Sequence, residues 1–343
     1  MNDNKKHKKA EYGILITGLI ILLAATCVIA LCAGQYSVSV PEVIKILASR
    51  FVNVTKTWSN TAEGVVFTLR LPRMIGAVLV GSALSLSGAA YQGVFKNPLV
   101  APDLLGVSSG ACVGASVAIL LHLNSFGVQA MAFVAGILAV GLTLFIPRLI
   151  KNTNMTMLVL SGIIVKGIMD SVMGIIKYVA DPETELQYIT YGQLGSLTKV
   201  LPRDLFTVGP VIIAASVIIF LLRWRINILS LGDREAKTLG VSVTVVRNFI
   251  IICATLLTAS AVCISGTIGW IGLVIPHFAR MLTGPDNTKA IPASILIGAI
   301  FMVAIDTLAR ALTSVELPLS ILTGIIGAPF YIIILARQRM KLS

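Results

Sequence analysis

The sequence predicts an all-α membrane protein, a single polytopic domain over residues 1–343 that crosses the bilayer with ten helices. Three observations carry that prediction. Hydrophobic residues make up 56% of the chain and charged residues 12%, with a mean hydropathy of +0.93, a composition that does not clothe a water-soluble surface. The apolar residues fall in long runs, and about 20 of them span a hydrocarbon core of roughly 30 Å. Backbone groups surrounded by lipid must bond within their own segment, so these runs form helices.

Uncharged runs occupy 13–34, 74–95, 104–123 and 128–146. A fifth span, 155–176, carries Lys166 and Asp170, and a sixth, 205–222, contains Pro210. The run 249–279 is too long for one crossing. Ser265, Gly266, Gly269, Gly272 and Pro276 mark where its backbone turns, giving two helices of which the second is short. Runs at 290–309 and 317–336 complete the ten.

Orientation follows from the basic residues, which are retained on the cytoplasmic side of membrane helices. With both termini cytoplasmic, 17 of the 27 Lys and Arg residues lie on cytoplasmic segments and nine on external ones, with Lys166 inside the membrane. Residues 1–12 are then a cytoplasmic tail of a multi-pass protein of the plasma or inner membrane. Its Lys5 to Lys9 cluster followed by an apolar run also has the form of a signal peptide, but a run of this length fits a retained first helix better. The net charge of +12 is explained by this topology and the lipid bilayer, and calls for no nucleic acid.

Several chemistries find no support. There is no Gly-rich Walker sequence to cradle a nucleotide, so any ATPase driving this protein is another polypeptide. The five cysteines lie in apolar runs without metal-ligand spacing, and His7, His122 and His277 are scattered, so no metal site is expected. No catalytic constellation appears, and the chain is read as a transport subunit and not an enzyme.

The segment 223–247 is the longest charged cytoplasmic stretch. Ser230-Leu-Gly-Asp233 has capping-box form, with Asp233 bonding back to a helix start, and Gly240 suits the left-handed residue that closes a helix. A short helix of about two turns between two spans results, and a solvated loop helix would read the same way. Elsewhere the chain runs Arg70-Leu-Pro-Arg73, Gly81-Ser-Ala-Leu-Ser-Leu-Ser-Gly88, Tyr91-Gln92, Asn97-Pro-Leu-Val-Ala-Pro102 and Leu105-Gly-Val-Ser-Ser-Gly110, then Gly266-Thr-Ile-Gly-Trp-Ile-Gly-Leu-Val-Ile-Pro-His-Phe-Ala-Arg280. Small residues at Gly81, Ser85, Gly88, Gly106, Gly110 and Gly114 allow helices to approach closely in lipid.

In order and spacing these pieces resemble the iron-siderophore, haem and cobalamin permeases of ABC importers, the FecCD family, over residues 15–338. The resemblance implies a bundle like that of a cobalamin importer permease, with an inverted repeat of helices 2–5 and 7–10. It implies a coupling helix, formed here by Leu231, Gly232, Asp233, Glu235, Ala236, Leu239 and Gly240, that seats in a groove of an ATPase subunit. It further implies a second permease copy, two ATPases that hold the ATP and magnesium, no cofactor on this chain, and an external substrate-binding protein. Arg70, Arg73 and Arg310 match arginines that pair with carboxylates of that binding protein, although interfacial anchoring explains arginines at a membrane surface equally well. A cytoplasmic gate is expected near Asn97 and Leu99 and near Asn154, Met155 and Thr156, positions that ordinary turns and caps also favour.

Two features depart from the family pattern. Tyr191 stands where Trp is common, and the fifth helix is usually uncharged. Lys166 and Asp170, at i and i+4, are expected to pair, and with Met173 and Lys177 they form a stripe. That stripe either locks the bundle or lines the substrate path. The expected function is import of a metal chelate, ferric siderophore first, with haem, cobalamin or an oxyanion as alternatives. An ion-coupled secondary transporter is the remote alternative, since Asp170 is the only acid in the middle of a span.

Overall fold

A computed structural model describes residues 2–152, 155–312 and 315–340. It is all-helical. Fourteen α-helices occur among the described residues: α1 Asn2–Cys32, α2 Val40–Ala48, α3 Asn60–Gly64, α4 Leu71–Phe95, α5 Val107–Leu120, α6 Ser125–Leu149, α7 Met155–Val179, α8 Glu185–Gln193, α9 Pro202–Leu231, α10 Asp233–Thr238, α11 Val243–Ser265, α12 Ile271–Thr283, α13 Asn287–Ala311 and α14 Leu319–Met340. A π-helical turn, Val65–Arg70, joins α3 to α4. Seven helices are long and apolar enough to cross a membrane, and α5, α12 and α14 are shorter apolar helices that bring the bundle to ten.

Helix α4 is the axle, packed against α13, α11, α12 and α9. Its small residues make this possible. A methyl added to Gly88 would lie 1.8 Å from the Gly272 carbonyl oxygen of α12, and one added to Gly81 would lie 2.2 Å from the Gly298 oxygen of α13. The α5–α6 pair is equally close, with Gly114 against the Met131 carbonyl at 2.2 Å. Hydroxyls join α4 to α11: Ser87 Oγ meets Thr258 Oγ1 at 2.7 Å and Tyr91 Oη meets Thr255 Oγ1 at 2.9 Å, bonds that satisfy polar groups in the dry interior.

Some boundaries differ from the sequence expectation. The third span begins at Val107, not at 104, because Pro102–Leu105 is a 3₁₀ turn that ends at Gly106 with φ of +76°. The long run after 249 breaks as expected. Gly266 (φ +67°) ends α11, and a methyl there would meet the Gly192 oxygen at 2.0 Å. Trp270 then takes φ of +71°, unusual for a bulky residue, and its ring packs on Gly324 and Gly327 of α14. Helices α2, α3 and α8 lie outside the expected spans. Helix α2 is amphipathic and buries Val43 and Ile46 in a cluster with Leu31, Val38, Trp58, Ala62 and Val66, leaving Ile44 exposed.

Candidate functional site

The residues singled out in the sequence gather at three places. The first is the rim formed by the C-terminus of α1 and the N-terminus of α4. The last four carbonyls of any helix lack intrahelical donors, and here two arginines supply them. Arg70 Nη1 donates to Leu31 O at 2.8 Å and Cys32 O at 3.0 Å, and its Nη2 donates to Tyr36 O. Arg310 Nη1 donates to Ala33 O at 2.6 Å and Nη2 to Ala30 O. Gly34, with φ of +142°, makes room, since a methyl there would sit 2.7 Å from Arg70 Nη2 and 3.1 Å from Arg310 Nη1.

Arg73 is bound differently. Its Nε donates to both oxygens of Asp306, at 2.9 and 3.0 Å, and its Nη1 to both oxygens of Glu316, at 2.8 and 2.9 Å. The three arginines, which the family resemblance matches to binding-protein carboxylates, are each engaged by groups of this chain. Arg70 and Arg73 are buried at 6% and 8% exposure, because the ends of α1 and α13 close over them. Asp306, Glu316 and Gly34 were not assigned roles from sequence. The signal available was the Asp306/Arg310 spacing of i and i+4 and the Glu316-Leu-Pro318 tail behind it.

The second place is the opposite end, around α10. Helix α9 continues past the expected span to Leu231, so Ser230 lies inside it and its Oγ bonds to Asn227 O at 2.6 Å. The expected capping box does not form. Gly232 (φ +150°) makes the break, and a methyl there would collide with the Glu235 carboxylate. Asp233 turns to Arg247 Nη2 at 2.7 Å and Lys96 Nζ at 3.4 Å. Burial pushes the Asp233 carboxyl up, but the neighbouring Arg247 and Lys96 outweigh it and hold the group below its usual range. Gly240 closes the helix with φ of +75°, as expected. Ala236 faces inward and is fully buried, whereas Leu231, Arg234, Glu235, Lys237 and Leu239 are exposed.

Lys96 ends α4 in the left-handed conformation, and Asn97 Oδ1 accepts from Leu99 N at 2.9 Å in the turn that follows. Leu99 and Thr156 are exposed, Met155 opens α7, and Asn154 lies outside the described residues. Among the described residues no hydrogen bond joins the Asn97–Leu99 turn to Thr156.

The third place is the face of α7. Lys166, Gly167, Asp170, Ser171 and Gly174 are all exposed, and nothing lies within 4 Å of a methyl added at Gly167 or Gly174. Among the described residues no ion pair joins Lys166 to Asp170, so the expected pairing is corrected. The expected stripe also divides. Met173 is buried against α5, where Ser116 Oγ donates to its Sδ at 3.5 Å, because three residues from Asp170 it has rotated to the packed side. Among the described residues no cluster of three metal-ligating side chains occurs.

A ten-helix bundle with a broken helix, a short charged helix at one end and an exposed polar face on one span defines a membrane permease. The chain matches the FecCD transport family over residues 21–337, and it belongs to that family. It is 37% identical over 322 residues to the molybdate import system permease protein MolB of Haemophilus influenzae, covering 94% of this chain and 95% of that one. It is 36% identical over 283 residues to the cobalamin import system permease protein BtuC of Halobacterium salinarum (82% and 76% covered). It is 35% identical over 307 residues to the hemin transport system permease protein HmuU of Yersinia pestis (87% and 91% covered). A solved metal-chelate type ABC transporter in an inward-facing conformation superposes with a TM-score of 0.85 at 34% identity, covering 95% of this chain and 99% of that one. The protein is thus the transmembrane permease subunit of an ABC importer, which works with ATPase subunits and a binding protein, and it is not an enzyme.

Proposed function

We propose that this permease imports a metal chelate, ferric siderophore first, through a path between two copies of the chain, driven by two ATPases that bind at the α10 end. The observation that carries the path is the face of α7. Each charge left in hydrocarbon costs about 2.5 to 3.5 kcal/mol, so Lys166 and Asp170 call for a second copy or water beside them. The exposed Gly167, Ser171 and Gly174 on the same face suit close approach or a wide opening.

In this reading α10 lies in the cytoplasm with both termini, and the rim of Arg70, Arg73 and Arg310 faces outward to the binding protein. Of the three rim arginines, Arg73 is the one that contacts an accessible carboxylate among the described residues, so docking runs through Arg73, while Arg70 and Arg310 brace α1. The turn carrying Asn97 and Leu99 and the start of α7 at Thr156 form the cytoplasmic gate. Differential contacts of the ATPases with α10 in their two states move it.

A second substrate reading is an oxyanion, favoured by the exposed Lys166 on the path face, which forms no salt bridge among the described residues, and by the likeness to a molybdate permease. Uptake into proteoliposomes holding the complete importer, with ferric siderophores, haem, cobalamin and molybdate offered separately, decides between them. Accumulation of molybdate alone overturns the metal-chelate assignment. Uptake that persists without ATP overturns the importer mechanism.

A further inference from the structure

The two carboxylates that hold Arg73 differ in accessibility. The Asp306 side chain is 4% exposed and belongs to the packed interior of α13. The Glu316 side chain is 37% exposed and comes from the stretch that leads into α14. Among the described residues Arg73 and Arg310 share the carboxylates of Asp306 and Glu316 while Arg70 bonds only backbone carbonyls, so three arginines stand against two carboxylates and one positive charge is in excess. An incoming carboxylate therefore meets a favourable field and a guanidinium whose outer fork is held by an exchangeable group.

We propose that Glu316 is an internal stand-in for a carboxylate of the external binding protein, and that docking exchanges one for the other on Arg73. The inference rests on the docking assignment made above. Exchange conserves the two charge-assisted bonds at Nη1, so the guanidinium is never left bare. The consequence lies in what Glu316 holds. Thr198 Oγ1 donates to it at 2.5 Å, and three residues further on Leu319 N bonds to Gly195 O at 3.0 Å and Ser320 N to Leu194 O at 3.1 Å. Release of Glu316 removes one of the ties that fix the start of α14 to the 194–198 stretch, so docking loosens the outer end of that helix. An intramolecular competitor acts at high effective concentration, and it filters out partners that lack a well-placed carboxylate.

The test measures docking of the importer's own binding protein to the complete complex in nanodiscs by surface plasmon resonance. Glu316→Gln keeps the size of the side chain and removes the competing charge, and it should tighten docking roughly 3- to 10-fold. Thr198→Val, which removes the second tie but leaves the charge, should tighten it less. Arg73→Met should abolish the effect of both. Unchanged or weaker docking by Glu316→Gln, in a complex that melts as the parent does, overturns the stand-in. If Glu316→Gln lowers the melting temperature, Thr198→Val decides, and no tightening there overturns it too. Loss of docking in Arg73→Met, in a complex that is still folded at the assay temperature, without tightening in the other two refutes the stand-in alone. Parental docking by Arg73→Met refutes the docking assignment itself.

Discussion

Arg73 and Asp306 show why an ion pair inside a membrane bundle is judged by what its removal leaves behind. Arg73→Met leaves Asp306 buried and short of its principal partner, and breaking a buried pair in this way costs about 3 to 5 kcal/mol. Thermal unfolding in detergent should register a large fall. Because the pair is shielded, raising salt should change that fall little, whereas an exposed rim pair would fade as the Debye length drops from about 10 Å at 0.1 M to about 3 Å at 1 M. Glu316 has a defined pH window. Burial pushes its carboxyl up, but the bonds from Arg73 and Thr198 outweigh it and hold it below the usual 4.5. A lowered carboxyl contributes stability above its unfolded pKa and loses it only as pH falls through the folded value. The Arg73–Glu316 contact should therefore be unchanged from pH 8 to pH 5, and an acid-labile step in that range would count against it.

At the scale of elements, α4 depends on absent side chains. Gly88→Val would drive a branched side chain into the α12 backbone, and neither helix can retreat without opening the core they share with α13. The expected outcome is loss of folded protein in a detergent-stability assay, while the same substitution at Gly167, where the space is open, should be tolerated. Helix α10 separates two roles that its sequence motif runs together. Ala236→Glu buries a charge under α10 and should destabilise the permease itself. Leu239→Glu alters a 59% exposed side chain and should leave the fold intact while weakening ATPase association and stopping uptake. Co-purification of the ATPase with the Leu239→Glu permease at the parental level would show that the exposed face is not the contact.

For the whole molecule, Asp233 ties α10 to two further helices, because it bonds both Arg247 at the start of α11 and Lys96 at the end of α4. Each bond is solvent-exposed and worth only about 0.2 to 1 kcal/mol, so it biases a movement without locking it. Cysteines placed at Asn97 and Thr156 should change their reactivity toward an impermeant cytoplasmic thiol reagent when nucleotide binds. Combining them with Asp233→Asn should reduce the change at Asn97. A response at Asn97 that is the same in both backgrounds would remove Asp233 from the pathway of coupling.

Much of this protein was legible in its sequence, for reasons that differ from one feature to the next. Bilayer thickness and backbone bonding turn an apolar run into a helix regardless of its neighbours, so the ten spans, the break at Gly266 and the closing Gly240 follow from local chemistry. The family motifs fixed the permease class because their order along the chain is itself the signal. What the sequence left open depends on partners far apart in the chain. Whether Arg73 meets water or carboxylate is decided by Asp306 and Glu316, more than 200 residues away. Arg70 and Arg310 are drawn inward because the end of α1, with its unpaired carbonyls, packs beside them. Met173 and Asp170 share a helix and a motif, yet the packing of α5 against α7 buries one and leaves the other bare. Local sequence sets which backbone conformations are cheap. Only the tertiary structure decides which of the distant charged groups meet, because the Arg73 pairs form where α4 arrives beside α13 and the stretch leading into α14.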